Sequence, residues 1–133
     1  MATIVFRRTD EVKVANCEPG DSVGDFVYIT GPAVSGRIQT AKVDIDDGAK
    51  MPAVGVIVEK TSPTECVIQT DGNLDSVGLT PNALYFVGAD SRLLEGPPPR
   101  PASGYRRIQG VGQADDGGNL LFQPQTIFHK VTA

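Results

Sequence analysis

Turn-forming residues interrupt this sequence from end to end, with 15 glycines and 10 prolines spread over 133 residues. Proline fixes φ and removes a backbone donor, and glycine takes φ > 0 freely, so both end helices and favour turns. A chain punctuated this often has little room for a long helix. Between the breaks lie short runs of β-branched and aromatic residues, the composition of strands. The prediction is an all-β fold, a compact antiparallel β-sandwich or barrel with extended N- and C-terminal segments.

The runs can be placed along the chain. Thr3–Phe6 is the first, and Val12-Lys13-Val14 alternates as a half-exposed strand does. Phe26–Thr30 is the strongest strand signal of the N-terminal half, and Gly31-Pro32 is expected to end it. Arg37–Ile45 follows, with Ile38, Val43 and Ile45 as its apolar positions. Ala53–Val58 is continuously apolar and should be buried on both sides. Thr61-Ser62-Pro63-Thr64 then turns it into Glu65–Thr70, which predicts an antiparallel hairpin. The C-terminal half supplies Ala83–Val87, Arg92–Leu94, Arg106–Gln113, Leu120–Pro124 and Thr126–Val131. One helical turn at most fits, near Leu74–Val77.

The two halves resemble each other. Asp21-Ser22-Val23-Gly24 recurs as Asp75-Ser76-Val77-Gly78, and Val27-Tyr28 as Leu84-Tyr85. Val54-Gly55 recurs as Val111-Gly112, and Ile68-Gln69 as Phe122-Gln123. Offsets of 54 and 57 residues keep the four matches in order. Neither half has the apolar surface to stand alone, so two of them should close one core. The expectation is a single domain over 1–133, with half-repeats of about 12–72 and 73–124 and terminal arms of about 1–11 and 125–133. Tyr28, Val54, Val56, Ile68, Leu84, Phe86, Val111 and Phe122 are the expected core.

Charge and composition narrow the function classes. The chain is 40% hydrophobic and carries a net charge of −4, with a pI near 4.8. That supplies a core and gives no global positive field for nucleic acid. No apolar run approaches the length of a membrane span, and no signal peptide is visible. Cys17 and Cys66 stand 49 residues apart and His129 is the one histidine, too few ligands for a Cys/His zinc site. Two buried thiols are expected rather than a disulfide, and synthesis in a cytosol.

No constellation for catalysis emerges. His129 has no Gly-x-Ser-x-Gly nucleophile to serve and lies near the end of the chain. Asp44-Ile45-Asp46-Asp47-Gly48 lacks the spacing and the distal glutamate of a calcium loop, so its aspartates are expected to form a turn, as are Asp115 and Asp116. Gly110-Val111-Gly112 precedes no helix and is expected to permit a bulge or a close strand approach. Pro97-Pro98-Pro99-Arg100-Pro101 should be extended, a stiff connection or an SH3-type ligand. The chain is not expected to be an enzyme, nor to bind a cofactor or metal.

One resemblance covers about residues 12–124. Leu79-Thr80-Pro81-Asn82-Ala83-Leu84-Tyr85-Phe86-Val87, then Gly104-Tyr105-Arg106-Arg107-Ile108-Gln109-Gly110-Val111-Gly112 and Leu120–Pro124, is similar to a module of tailed-bacteriophage virion proteins. Asp25–Tyr28 through Lys50–Val56 resembles the matching part of small phage head decoration, or cement, proteins. Asn82 stands where that module usually has glycine, and Gln113 lies between Gly112 and Ala114.

The resemblance implies a structural protein of the virion, on the outer surface of the capsid. Its partners would be the major capsid protein and neighbouring copies in a dimer or trimer, with no nucleic acid or membrane. The same module also ends tail fibres and spikes, so a receptor-binding module is the alternative. A chain without a trimeric stalk or coiled coil favours the capsid. Ile4, Phe6, Arg7, Arg8, Arg100, Ile127 and Phe128, at the apolar ends and the basic patches, are the expected partner-binding residues.

Overall fold

The structure, a computed structural model, describes residues 10–74, 78–125 and 129–132. These residues form the strands β1 (Asp10–Asn16), β2 (Phe26–Val34), β3 (Arg37–Lys42), β4 (Gly55–Ser62), β5 (Glu65–Leu74) and β6 (Leu84–Val87). They continue with β7 (Leu93–Glu95), β8 (Tyr105–Ile108), β9 (Gly110–Ala114), β10 (Leu120–Phe122) and β11 (His129–Thr132). A 3-10 turn, Gly48–Lys50, is the only helical element among the described residues. The protein is all-β.

The first five strands close on themselves. Their order is β1–β3–β2–β4–β5, and β5 returns to pair with β1. Pairing is antiparallel except between β1 and β3, where Ala15 and Asn16 lie beside Ile38 and Gln39 in parallel. Ala15, Cys17, Val27, Ile57, Cys66 and Ile68 fill the interior, with Ile38 against them. A barrel this narrow is packed solid by its inward side chains.

β5 is longer than the barrel needs. Its residues Gly72, Asn73 and Leu74 pair with Phe122, Leu121 and Leu120 of β10, and the sheet runs on through β9, β6 and β7. Gly72 has partners on both sides, Asp10 and Phe122, and takes φ +97°. The strands β3–β2–β4–β5 and β7–β6–β9–β10 follow one order outward from the β5–β10 seam. A separate ribbon of β8 and β11 lies beside the 44–48 loop, where the Arg107 N–H donates to the Ile45 carbonyl at 2.7 Å.

A second core fills the space between barrel and open sheet. Phe26, Val43, Ile45, Met51, Ala53 and Val56 meet Tyr85, Val87, Val111, Ala114, Leu120 and Phe122 there. The Phe26 and Phe122 ring centroids are 6.0 Å apart, within the range of favourable aromatic pairs. Successive strand residues point to opposite faces. Val27 and Ile57 therefore enter the barrel while their neighbours Phe26 and Val56 enter the second core. This is why the 53–58 run is apolar without alternation.

Several expectations are corrected. Leu84 is 57% exposed and Phe86 half-buried, whereas Tyr85 and Val87 face the core. Every residue of β6 is apolar or aromatic, so composition leaves its phase open. The buried choice gives the Tyr85 hydroxyl the Thr80 N–H at 2.9 Å. Tyr28 and Val54 are also only half-buried; Val56, Ile68, Val111 and Phe122 are buried as expected. β2 does not stop at Gly31-Pro32. Register shifts on either side of Gly31 carry it to Val34, and Ser35 and Gly36, at φ +54° and +77°, make the turn into β3.

Further differences concern strand ends. β3 stops at Lys42, although Val43 and Ile45 are buried beyond it. The 106–113 run is split into β8 and β9 at Gln109. Asp10 and Glu11, expected in the N-terminal arm, belong to β1, and His129–Thr132, expected in the C-terminal arm, pairs with β8. Leu74 ends β5, and the rest of the expected helical turn, 75–77, lies outside the described residues.

Candidate interaction surfaces

Aspartates of the 44–48 and 115–119 turns are engaged locally. Asp44 accepts the Asp46 N–H at 2.9 Å, and Asp47 accepts the Ala49 N–H at 3.0 Å. Asp115 accepts from Gly117 and Asn119 at 2.8 and 3.0 Å. These aspartates hold their own turns. No group of three or more His, Cys, Asp or Glu able to hold a metal is present among the described residues.

Both cysteines are buried free thiols in the barrel. Burial, reinforced by a hydrogen bond with Cys17, pushes the Cys66 thiol up to about 12, so it stays protonated at neutral pH. His129 is exposed on β11 opposite Ile108, in a different sheet from β5 and its Cys66.

Of the expected partner-binding residues, Arg100 is exposed on the proline loop. Ile4, Phe6, Arg7, Arg8, Ile127 and Phe128 lie outside the described residues. The proline loop is held down: Pro98 and Pro101 are buried, and the Pro99 carbonyl accepts from Arg106 Nη1 at 3.2 Å. Arg106 also donates to both Asp46 carboxylate oxygens, at 2.8 and 3.3 Å, and this pairing raises its pKa. The loop therefore serves as a stiff connection fastened to the 44–48 turn.

Two surfaces stand out that the sequence did not single out. The first is on the open sheet, where Leu84 and Leu121 both oppose Gln113, from β6 and β10 respectively. The leucines are 57% and 51% exposed. They flank the exposed Gln113 in one row across three strands, beside a shallow groove lined by Phe86, Gly110, Gly112, Gln123 and Gln125. Gly112 cannot carry a side chain here, because a Cβ would sit 2.1 Å from the Leu121 carbonyl oxygen at φ +146°. Gly55, its counterpart in the other half, is similarly confined, with a Cβ 2.8 Å from the Gln69 carbonyl oxygen. Both Val-Gly pairs thus mark close strand approaches, as was expected for Gly110-Val111-Gly112 alone. Asn82 takes φ +68°, a conformation asparagine tolerates better than most residues.

The second surface is the β8/β11 ribbon. Arg107 stands directly opposite Lys130, and Tyr105 opposite Thr132. Alternation places these four side chains on one face, with Arg106, Ile108, His129 and Val131 on the other. Lys130 Nζ lies 4.0 Å from the Tyr105 ring centroid.

Comparison of the chain with protein-family models, curated proteins and solved structures finds no match.

Proposed function

We propose that this protein is a structural component of a tailed-phage virion that decorates the capsid, binding the major capsid protein shell and neighbouring copies of itself. The observation that carries this is the exposure of two leucines, Leu84 and Leu121, on either side of Gln113 on an open sheet face. With half-buried Phe86, two residues along β6 from Leu84, they put three large apolar side chains on one open face, the kind of surface that marks protein–protein contact. It lies within the two segments, 79–87 and 120–124, that resemble the virion module. A shell repeats its sites in a dense array, so modest affinity per copy suffices when neighbours also touch.

Sedimentation of the purified protein with preformed phage capsid shells tests the proposal. Full-length protein should pellet with shells and raise their resistance to heat or chelation. The Leu84→Asp/Leu121→Asp variant should pellet markedly less while keeping its β-sheet circular dichroism. Deleting residues 1–8 should weaken binding as well, while leaving the fold intact. Full-length protein left in the supernatant refutes the head assignment and brings forward the tail-fibre or spike receptor-binding module.

A further inference from the structure

Arg107 and Lys130 are directly opposed on neighbouring strands, an arrangement in which like charges repel. No carboxylate relieves either of them among the described residues. The nearest acidic loop is committed elsewhere: Asp46 to Arg106, and Asp44 and Asp47 to N–H groups of their own turn. Arg107 lies across Gly48, where a Cβ would come within 2.8 Å of Nη2. The bare glycine backbone thus gives the guanidinium room to lie flat. Tyr105, 48% exposed, sits beside Lys130 on the same face. β8 leans on the Ile45 carbonyl with one edge and pairs β11 with the other, while β11 pairs only β8 among the described residues. Among the described residues nothing pairs with the outer edge of β11, an edge of the kind to which another strand adds.

We propose that the β8/β11 ribbon is a docking site for an extended acidic segment of a partner protein. The segment adds as a strand to the outer edge of β11, its backbone completing that ladder. Acidic residues at alternate positions face the Arg107/Lys130 side and relieve the repulsion between the two cations. Tyr105 supplies the apolar contact beside them. A nucleic acid is the poorer occupant, because the chain carries −4 overall and two opposed cations do not make a backbone-tracking groove. The inference deepens the function proposed above, resting on it only for which protein supplies the segment.

The test uses the full chain and a labelled synthetic peptide of alternating Glu and Val, with a Lys-Val peptide and a single-stranded DNA oligonucleotide as the other arms. The Glu-Val peptide should bind in a salt-sensitive manner and protect the His129–Thr132 amides from hydrogen exchange. Lys130→Gln should weaken it by about tenfold, and Lys130→Glu should switch preference to the Lys-Val peptide. Lys130 is exposed, so either variant removes only its contact with the Tyr105 ring and no core packing. Arg107→Gln supplies an independent loss on the facing strand. Absence of binding, equal binding by the variants, protection elsewhere on the chain, or tighter binding of the DNA overturns the proposal. Shell sedimentation is a separate readout, so docking can fail while decoration stands.

Discussion

The side-chain amide of Gln109 pairs with the backbone of Ala53 as a neighbouring strand would. The Ala53 N–H donates to Gln109 Oε1 at 2.8 Å, and Gln109 Nε2 donates to the Ala53 carbonyl at 2.9 Å. The same nitrogen donates to the Gln125 carbonyl at 2.7 Å. Gln109 is fully buried, so one side chain ties the approach to β4, the β8–β9 junction and the segment after β10 together without help from water.

Removing that amide should be costly. Gln109→Leu keeps the volume but orphans the N–H and C=O of Ala53, and a buried group without a partner costs about 1–3 kcal/mol. The expected loss is about 2–4 kcal/mol in urea unfolding. Gln109→Glu should be at least as damaging, because it removes both donors and buries an acid.

Gly112→Ala should abolish or severely weaken folding, since its Cβ would overlap the Leu121 carbonyl at a φ that alanine avoids. Gly36→Ala is the control. It meets open space and suffers only from φ +77°, so it should cost about 1 kcal/mol. Equal effects of the two on thermal midpoint would show that the β9–β10 approach is looser than described.

Ile68→Ala and Phe122→Ala probe the two cores separately. Each should cost about 2–5 kcal/mol through lost transfer energy and the cavity left behind. Ile68 belongs to the barrel interior and Phe122 to the core beneath the open sheet, so the losses in the double variant should be nearly additive.

Stability should fall at high pH through Cys66. Its thiol is held protonated to about 12 in the folded protein, while an unfolded thiol titrates near 9. Between those values the native state holds a proton that the unfolded state has released, so stability present below pH 9 is lost as pH rises. Urea unfolding at pH 8 and pH 10.5 should show a steeper decline for the natural sequence than for Cys66→Ala. Parallel declines would mean that the thiol titrates alike in both states.

The elements most legible in the sequence were those whose signal is local. The β4–β5 hairpin is announced by Ser62-Pro63-Thr64 between two apolar runs, and the two-sided burial of Val56 and Ile57 by the absence of alternation. Signals that depend on pairing were not legible. Gly31-Pro32 reads as a terminator, yet bulges in the β2–β3 ladder accommodate it. Leu84 and Tyr85 are equally plausible core residues until Gly112 is seen opposite Tyr85. Gln109 looks like an ordinary strand residue, because its partners lie 56 and 16 positions away. Arg107 and Lys130 become a pair only once β11 folds back on β8.

The shared strand β5 has a consequence for how the chain is made. Synthesis delivers β1 first, yet Asn16 must wait for Glu65, and Asp10 for Gly72, before it has a β5 partner. The barrel's closing seam is therefore a late event for the nascent polypeptide, with a ring of some fifty residues to shut before its own interior is dry. Only then does the far end of β5 stand ready as a template for β10, so vectorial emergence from the ribosome favours assembling the barrel before the open sheet.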